Sequence, residues 1–221
     1  MNPDRDLPGV PVEAASARAY RTLEQMIVTL ELAPGAIATE ATLIDHVGLG
    51  RTPVREAIQR LAWEGLLDVR PRAGLAIAPL NAADWLRVID ARCGLEIVLA
   101  RSAALHVDAP AADRFHEAAL TMRKAVVDND VLSFLAADKA LDEALALAAD
   151  NPFAARVAAP LQTHSRRFWF RYKAQTGLAE SAEHHVALIQ AILEGNAAAA
   201  GEQAARLMAL LRGHAEAAAM R

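Results

Sequence analysis

The chain has one cysteine, few aromatics and no long apolar run, and each shortage excludes something. Cys93, the single cysteine among 221 residues, cannot close an internal disulfide or build a cysteine-based zinc site, and it suits a reducing compartment. No stretch approaches the about 18 consecutive apolar residues that read as a membrane span. No secretory leader pattern opens the sequence, so a cytoplasmic location and no membrane partner are expected. β-Branched runs are rare, and much of the apolar content is alanine, a strong helix former with little side chain to bury. A mainly α protein follows. The net charge of −4 argues against a non-specific nucleic-acid coat, which would be basic.

What is present begins with a local exception to that acidity. Between Arg51 and Arg72, five arginines face only Glu56, Glu64 and Asp68. Residues 1–13, with three prolines and alternating charges, read as a mobile tail. Tyr20, Leu23, Ile27 and Leu30 recur at helical spacing and predict a first helix over 14–32, stopped by Pro34-Gly35. Thr39 caps a short second helix through Val47, and Gly48 suits its left-handed end. A third helix is expected to start with Thr52 as N-cap and Pro53 at its first position. Its apolar stripe is Val54, Ala57, Ile58 and Leu61, and Gly65 ends it. Two strands are expected at Leu66–Val69 and Leu75–Ala78, joined by the basic loop Arg70–Gly74. Three helices and a basic hairpin are the plan of a winged helix-turn-helix over 14–80.

After Pro79 every segment reads as helix. Start signals fall at Asn81, Asp108, Asn129 or Asp130, Asn151-Pro152, Ser181 and Gly195-Asn196. Residues 81–221 are therefore expected to form an antiparallel six-helix bundle.

A recognition helix needs an apolar back and polar donors on its front near the N-terminus, where they reach base edges in the major groove. Arg51, Arg55 and Gln59 lie at i, i+4 and i+8, away from the apolar stripe. Arginine pairs bidentately with guanine O6 and N7, and glutamine with adenine N6 and N7. Thr52 and the first-turn N–H groups suit phosphate oxygens. Arg70 and Arg72 at the wing tip suit the backbone or minor groove. Double-stranded operator DNA, read by a homodimer, is the partner these residues imply.

Gly50-Arg51-Thr52-Pro53-Val54-Arg55-Glu56-Ala57-Ile58-Gln59-Arg60-Leu61, followed by Glu64-Gly65-Leu66, resembles the signature of the GntR family of bacterial regulators. The bundle resembles the FCD domain of the FadR-type branch, with landmarks at Arg92, Glu96, Asp138, Asn151-Pro152, Glu183 and His185. The resemblance implies that Arg51, Thr52 and Arg55 carry DNA contacts. It also implies that a further arginine used by some relatives is replaced here by Ala41. Relatives sense small organic acids or other metabolites, and an anion needs a cation in the bundle. Arg92 is the first candidate, and Arg166, Arg167 and Arg171 beside Phe168, Trp169, Phe170 and Tyr172 form a second cluster. That aromatic run reads more readily as core or interface than as pocket lining.

Many FCD domains also hold one divalent metal (Mn, Mg, Ca, Zn or Ni) through an aspartate and three histidines. Here the first position is Asp138, the second is Asp142 rather than histidine, the third is His185, and the fourth falls on Leu207. Two readings stay open. Asp138, Asp142 and His185 hold a metal through oxygen-rich coordination, which favours Mn, Mg or Ca, with His164, His184 or His214 as substitute ligand. Alternatively the metal site has decayed, and Asp138, Asp142 and His185 are a polar pocket that binds effector directly, or surface charges. His106 and His116 read as surface residues and Cys93 as packing.

The function expected is therefore a metabolite-responsive DNA-binding repressor rather than an enzyme. A ligand-independent DNA-binding protein is the alternative. A metal-dependent hydrolase is weaker, since no nucleophile–base pair or full ligand set supports it.

Overall fold

The computed structural model describes residues 13–172 and 177–220, so all of the expected tail but its last residue lies outside the described residues. The chain forms two compact units, Met1–Pro79 and Leu80–Arg221.

The first unit contains α1 (Ala15–Val28), β1 (Ile37–Ala38), α2 (Glu40–Val47), α3 (Arg51–Trp63), β2 (Leu67–Arg70) and β3 (Gly74–Ile77). Leu23, Ile27, Leu43, Val54, Leu61 and Leu66 are fully enclosed in its core. Removing each such aliphatic side chain from water stabilises the fold by about 1.5–3 kcal/mol. The helix expected to reach residue 32 ends at Val28, because Leu30 turns left-handed (φ 62) and the Leu32 N–H returns to the Met26 carbonyl at 3.0 Å. Thr39 caps α2 by accepting from the Thr42 N–H, and Gly48 closes it at φ 66.

The start of α3 differs from expectation. Gly50, not Thr52, is the N-cap and makes no side-chain cap bond, and the first helical residue is Arg51. Pro53 consequently sits third rather than first, still within the turn whose N–H groups have no partner inside the helix. The strands fall one residue away from their expected limits. A third strand, β1, carried no sequence signal because it is two residues long. The sheet order is β1-β3-β2, antiparallel throughout, with Leu67 opposite Ile77 and Val69 opposite Leu75.

Among the described residues the second unit contains six helices: α4 (Ala82–His106), α5 (Ala109–Asp128), α6 (Val131–Ala148), α7 (Pro152–Tyr172), α8 (Leu178–Leu193) and α9 (Ala197–Ala219). Asn81, Asp108, Asp130 and Asn196 cap their helices through side-chain oxygens, and Asn151 accepts from the Ala154 N–H. Ser181 is not a cap. It is buried inside α8, whose N-cap is Gly177. The helix that starts at Asn151-Pro152 reads in the sequence as running to about Ala174, an end that lies outside the described residues. Helix α4 is central, packing on α9 and α7 and also meeting α6 and α8. Trp85 of α4 stacks on Phe168 and Tyr172 of α7 at 6.0 Å, and its Nε1–H donates to Ser165 at 3.3 Å. No described helix is long and apolar enough to cross a membrane.

Candidate functional site

In the first unit the buried stripe Val54, Ala57, Ile58 and Leu61 fixes the orientation of α3. With that side anchored, Arg51, Thr52, Arg55 and Gln59 are all exposed. The 3.6-residue period puts Trp63 on the same face, one turn beyond Gln59. Trp63 is 91% exposed, the largest apolar side chain left in water on this unit. The Arg55 Nε donates to Glu40 Oε1 at 2.7 Å, tying the reading face to the first turn of α2. Glu40 and Trp63 were not singled out in the sequence. Glu40 passes there as an ordinary helix-start acid, and Trp63 carries no signal without its exposure. At the wing, Arg70 pairs with Asp68 at 3.2 Å, and Arg72 holds a left-handed φ of 66 at the hairpin tip. Ala41, where some relatives place an arginine, is exposed on α2.

The second unit draws Arg92, Asp138 and His185 together with Arg166 around one small cavity, whose walls also include Phe134, Trp169 and Leu211. Arg92 is 6% exposed and already partnered. Its Nε donates to Glu96 Oε1 at 3.0 Å, and Gln162 donates to the same oxygen at 3.1 Å. Arg166 bridges the two aspartates through Nη1, pairing with Asp142 and lying 3.5 Å from Asp138, while Nη2 donates to Thr163 at 3.0 Å. His185 places Nε2 2.8 Å from Asp138 Oδ1 and Nδ1 2.6 Å from the Ser181 carbonyl oxygen. Both ring nitrogens face acceptor oxygens, a setting that favours the protonated ring.

The electrostatics follow this geometry at His185 and Asp138 and run against the Arg166 pairing at Asp142. Burial works against the charged His185 ring, but the Asp138 hydrogen bond and charge outweigh it and raise its pKa. Burial alone would also raise Asp138, yet His185 and Arg166 hold it at about 2. For Asp142, burial and the neighbouring Asp138 charge prevail over Arg166 and push it up to about 7.

The metal reading does not fit these residues. Arg166 sits on both carboxylates, and among the described residues no group of three His, Cys, Asp or Glu side chains is placed to hold a metal ion. The α9 residue on the cavity wall is Leu211, one turn past Leu207, and neither carries a donor. His164, His184 and His214 do not complete a set. The aromatic run divides in two: Phe168 packs in the core on Trp85, whereas Trp169 stacks on Phe134 at 5.1 Å and lines the cavity. His106 and His116 are exposed and Cys93 is half-buried. Arg166 and Arg167 are buried, and Arg171 is exposed.

One unit exposes a polar face on the third of its helices beside a small three-stranded sheet, and the other encloses a small ionic cavity within a helical bundle; this two-unit build is that of a transcription regulator with a separate ligand-binding domain. The comparisons place it further. The model described as bacterial regulatory proteins, gntR family, matches residues 15–77, and that of the FCD domain matches residues 87–210. The chain belongs to the GntR family and carries an FCD domain. It is 32% identical over 149 residues to an uncharacterized HTH-type transcriptional regulator of Agrobacterium vitis, covering 65% of this chain and 86% of that protein. A probable D-xylose utilization operon transcriptional repressor of Paenarthrobacter nicotinovorans is 26% identical over 84% of this chain and 85% of its own length. An HTH-type regulator from Streptomyces ambofaciens is 47% identical over 73 residues, but the match spans only 30% of that protein and 33% of this chain. Among solved structures, E. coli McbR/YncC superposes with a TM-score of 0.75 at 18% identity, covering 90% of this chain and 95% of that one, a likeness of fold. The protein is thus a DNA-binding, effector-responsive regulator and not an enzyme.

Proposed function

We propose that the protein is a repressor that binds a two-half-site operator as a homodimer and is released by a small carboxylate entering the bundle cavity. The observation that carries the ligand class is the charge on the cavity wall, where Arg92, Arg166 and His185 face a single acid, Asp138. Asp142 and Glu96 stand behind as partners of the two arginines. The free space is about 20 Å³, enough for about one water. A metabolite therefore enters only if side chains on the wall move, and breaking an Arg166–aspartate pair is the most direct way. A ligand that binds the opened arrangement better than the closed one shifts the population between them. That one relative, the D-xylose utilization regulator, is described as a transcriptional repressor supports the sign of regulation.

On the DNA side we assign base contacts to Arg51, Arg55 and Gln59, and phosphate contacts to Thr52 and Arg72. The test is a binding titration on the duplex upstream of the protein's own gene, with and without a panel of short mono- and dicarboxylic acids. Sequence-specific binding that one acid weakens supports the reading. Binding that no acid alters, together with no acid-induced rise in melting temperature, leaves a ligand-independent DNA-binding protein instead.

A further inference from the structure

We propose that Arg166 is the resident cation of the bundle cavity. Its guanidinium takes the place in the charge balance that a divalent ion holds in metal-loaded FCD domains, so effector sensing here needs no metal. The inference deepens the reading of the cavity as the sensor and rests on it for that role, while the charge argument stands on geometry alone.

Three of the four family ligand positions carry side chains able to hold a metal, and each is already committed. Asp138 and Asp142, one turn apart on α6, both face the Arg166 Nη1. A bound ion would occupy that same space between two carboxylates and would meet a fixed positive charge there, since arginine does not lose its proton in a protein. His185 is already held between two acceptors, with 2.8 Å from Nε2 to Asp138 and 2.6 Å from Nδ1 to the Ser181 carbonyl oxygen. A metal would have to separate the ring from its carboxylate. The fourth position is a leucine, whether counted along the chain at Leu207 or read off the cavity wall at Leu211.

The replacement is also positioned like a designed part rather than a stray side chain. Arg166 is 8% exposed, and its Nη2 is anchored by Thr163 one turn back on α7 at 3.0 Å. The guanidinium therefore reaches α6 with its plane fixed, as a bidentate cation does and a flexible ammonium does not. Two substitutions relative to the family pattern then make sense together. The aspartate at 142, in place of histidine, gives a cationic neighbour a partner, which a neutral ring would not. The carbon side chains on α9 remove a ligand that the arrangement no longer uses.

The experiment needs neither operator nor effector, so its failure is distinct from failure of the repressor reading. Full-length protein prepared without chelator or histidine tag is dialysed against Zn²⁺, Mn²⁺ or Ni²⁺ and its bound metal counted. Its melting is followed with each ion and with EDTA. The expected result is bound metal far below one ion per chain and a melting temperature indifferent to both. Arg166→Met exposes Asp138, Asp142 and His185 to solvent ions and is expected to take up one ion per chain and melt higher with it. Arg166→Lys keeps a cation and is expected to take up none. One ion per parent chain, lost in Asp138→Asn, overturns the proposal. So does a folded Arg166→Met that binds no ion. Should Arg166→Met fail to fold, the parent and the lysine variant decide the question by the same count.

Discussion

The Nε of Arg55 on α3 lies 2.7 Å from the Glu40 carboxylate on the first turn of α2. The two side chains are 59% and 39% exposed, so the pair adds little stability. Its effect is on aim. A bond through Nε fixes the plane of the guanidinium and leaves the two terminal nitrogens, the pair that reads guanine O6 and N7. The Glu40 charge also opposes nearby phosphates, which weakens binding at any sequence. Glu40→Gln is therefore expected to tighten binding to random duplex severalfold while lowering the preference for operator about tenfold. Competition gel shifts with operator and scrambled DNA measure both. An unchanged preference would remove Glu40 from the reading machinery.

The residues of the reading face and the wing are expected to fail differently. Arg51→Ala, Arg55→Ala or Gln59→Ala should each weaken operator binding by about 1–3 kcal/mol and relax the base preference at one position. Arg72→Asn removes the wing-tip charge while keeping a residue that tolerates the left-handed backbone at φ 66. It should weaken all sequences alike and flatten the salt dependence by about one unit of slope. Titrations at several salt concentrations separate the two patterns. A base-specific loss at Arg72 would place the wing in direct readout instead.

Gly74 begins β3 at φ +105, and a Cβ there would stand 2.7 Å from the Ala38 carbonyl oxygen of β1. Neither problem can relax, because both atoms belong to backbone in a paired sheet. Gly74→Ala is expected to destabilise the wing by about 1–3 kcal/mol. Hydrogen exchange of the amides in 67–77 should quicken by about 10- to 100-fold, while amides of the bundle stay protected as before. Equal exchange in parent and variant would mean that the sheet is open in solution.

The parts legible in the sequence are those set by local chemistry. The α3 stripe, the capping oxygens of Thr39, Asn81, Asp108 and Asn196, and the left-handed Gly48 all act within a few residues of themselves. The errors have one origin. Thr52 has the chemistry of a cap, but Gly50 already had the extended backbone that a cap requires, so the helix began before Thr52. Ser181 likewise looks like a cap and is a buried serine inside α8. The pocket was half legible. Asp138, His185 and Arg92 stood out by their positions, and the anomaly at Asp142 was visible. Its explanation was not, because Arg166 comes from another helix, 24 residues away, and only the packing of α7 on α6 brings its guanidinium to Asp142.

That contact sets a pH dependence of definite sign. Asp142 faces Asp138 and Glu96, which raise its pKa, and Arg166 and Arg92, which lower it; burial and Asp138 prevail, leaving it at about 7 against an ordinary 3.8. Between about pH 4 and 7 the unfolded chain has released this proton and the folded chain keeps it, so stability falls as pH rises through that window. His185 acts in the same direction. Its stabilisation is complete below the ordinary histidine value and is lost as pH rises through its raised folded value. Asp138, held at about 2, contributes stability above about pH 4 that disappears only on acidification below it. Asp142→Asn removes the first of these terms and a small part of the second. Melting of parent and variant from pH 5 to 8 should therefore show the parent losing ground steadily up to about pH 7 and then running level with the variant's slope. Asp138→Asn takes away a charge that raises Asp142 as well as the partner that raises His185, so its curve should fall less steeply than the parent's over the same range. Parallel curves for parent and Asp142→Asn between pH 5 and 7 would mean that Asp142 is ionised throughout, and that the Arg166 pairing outweighs burial.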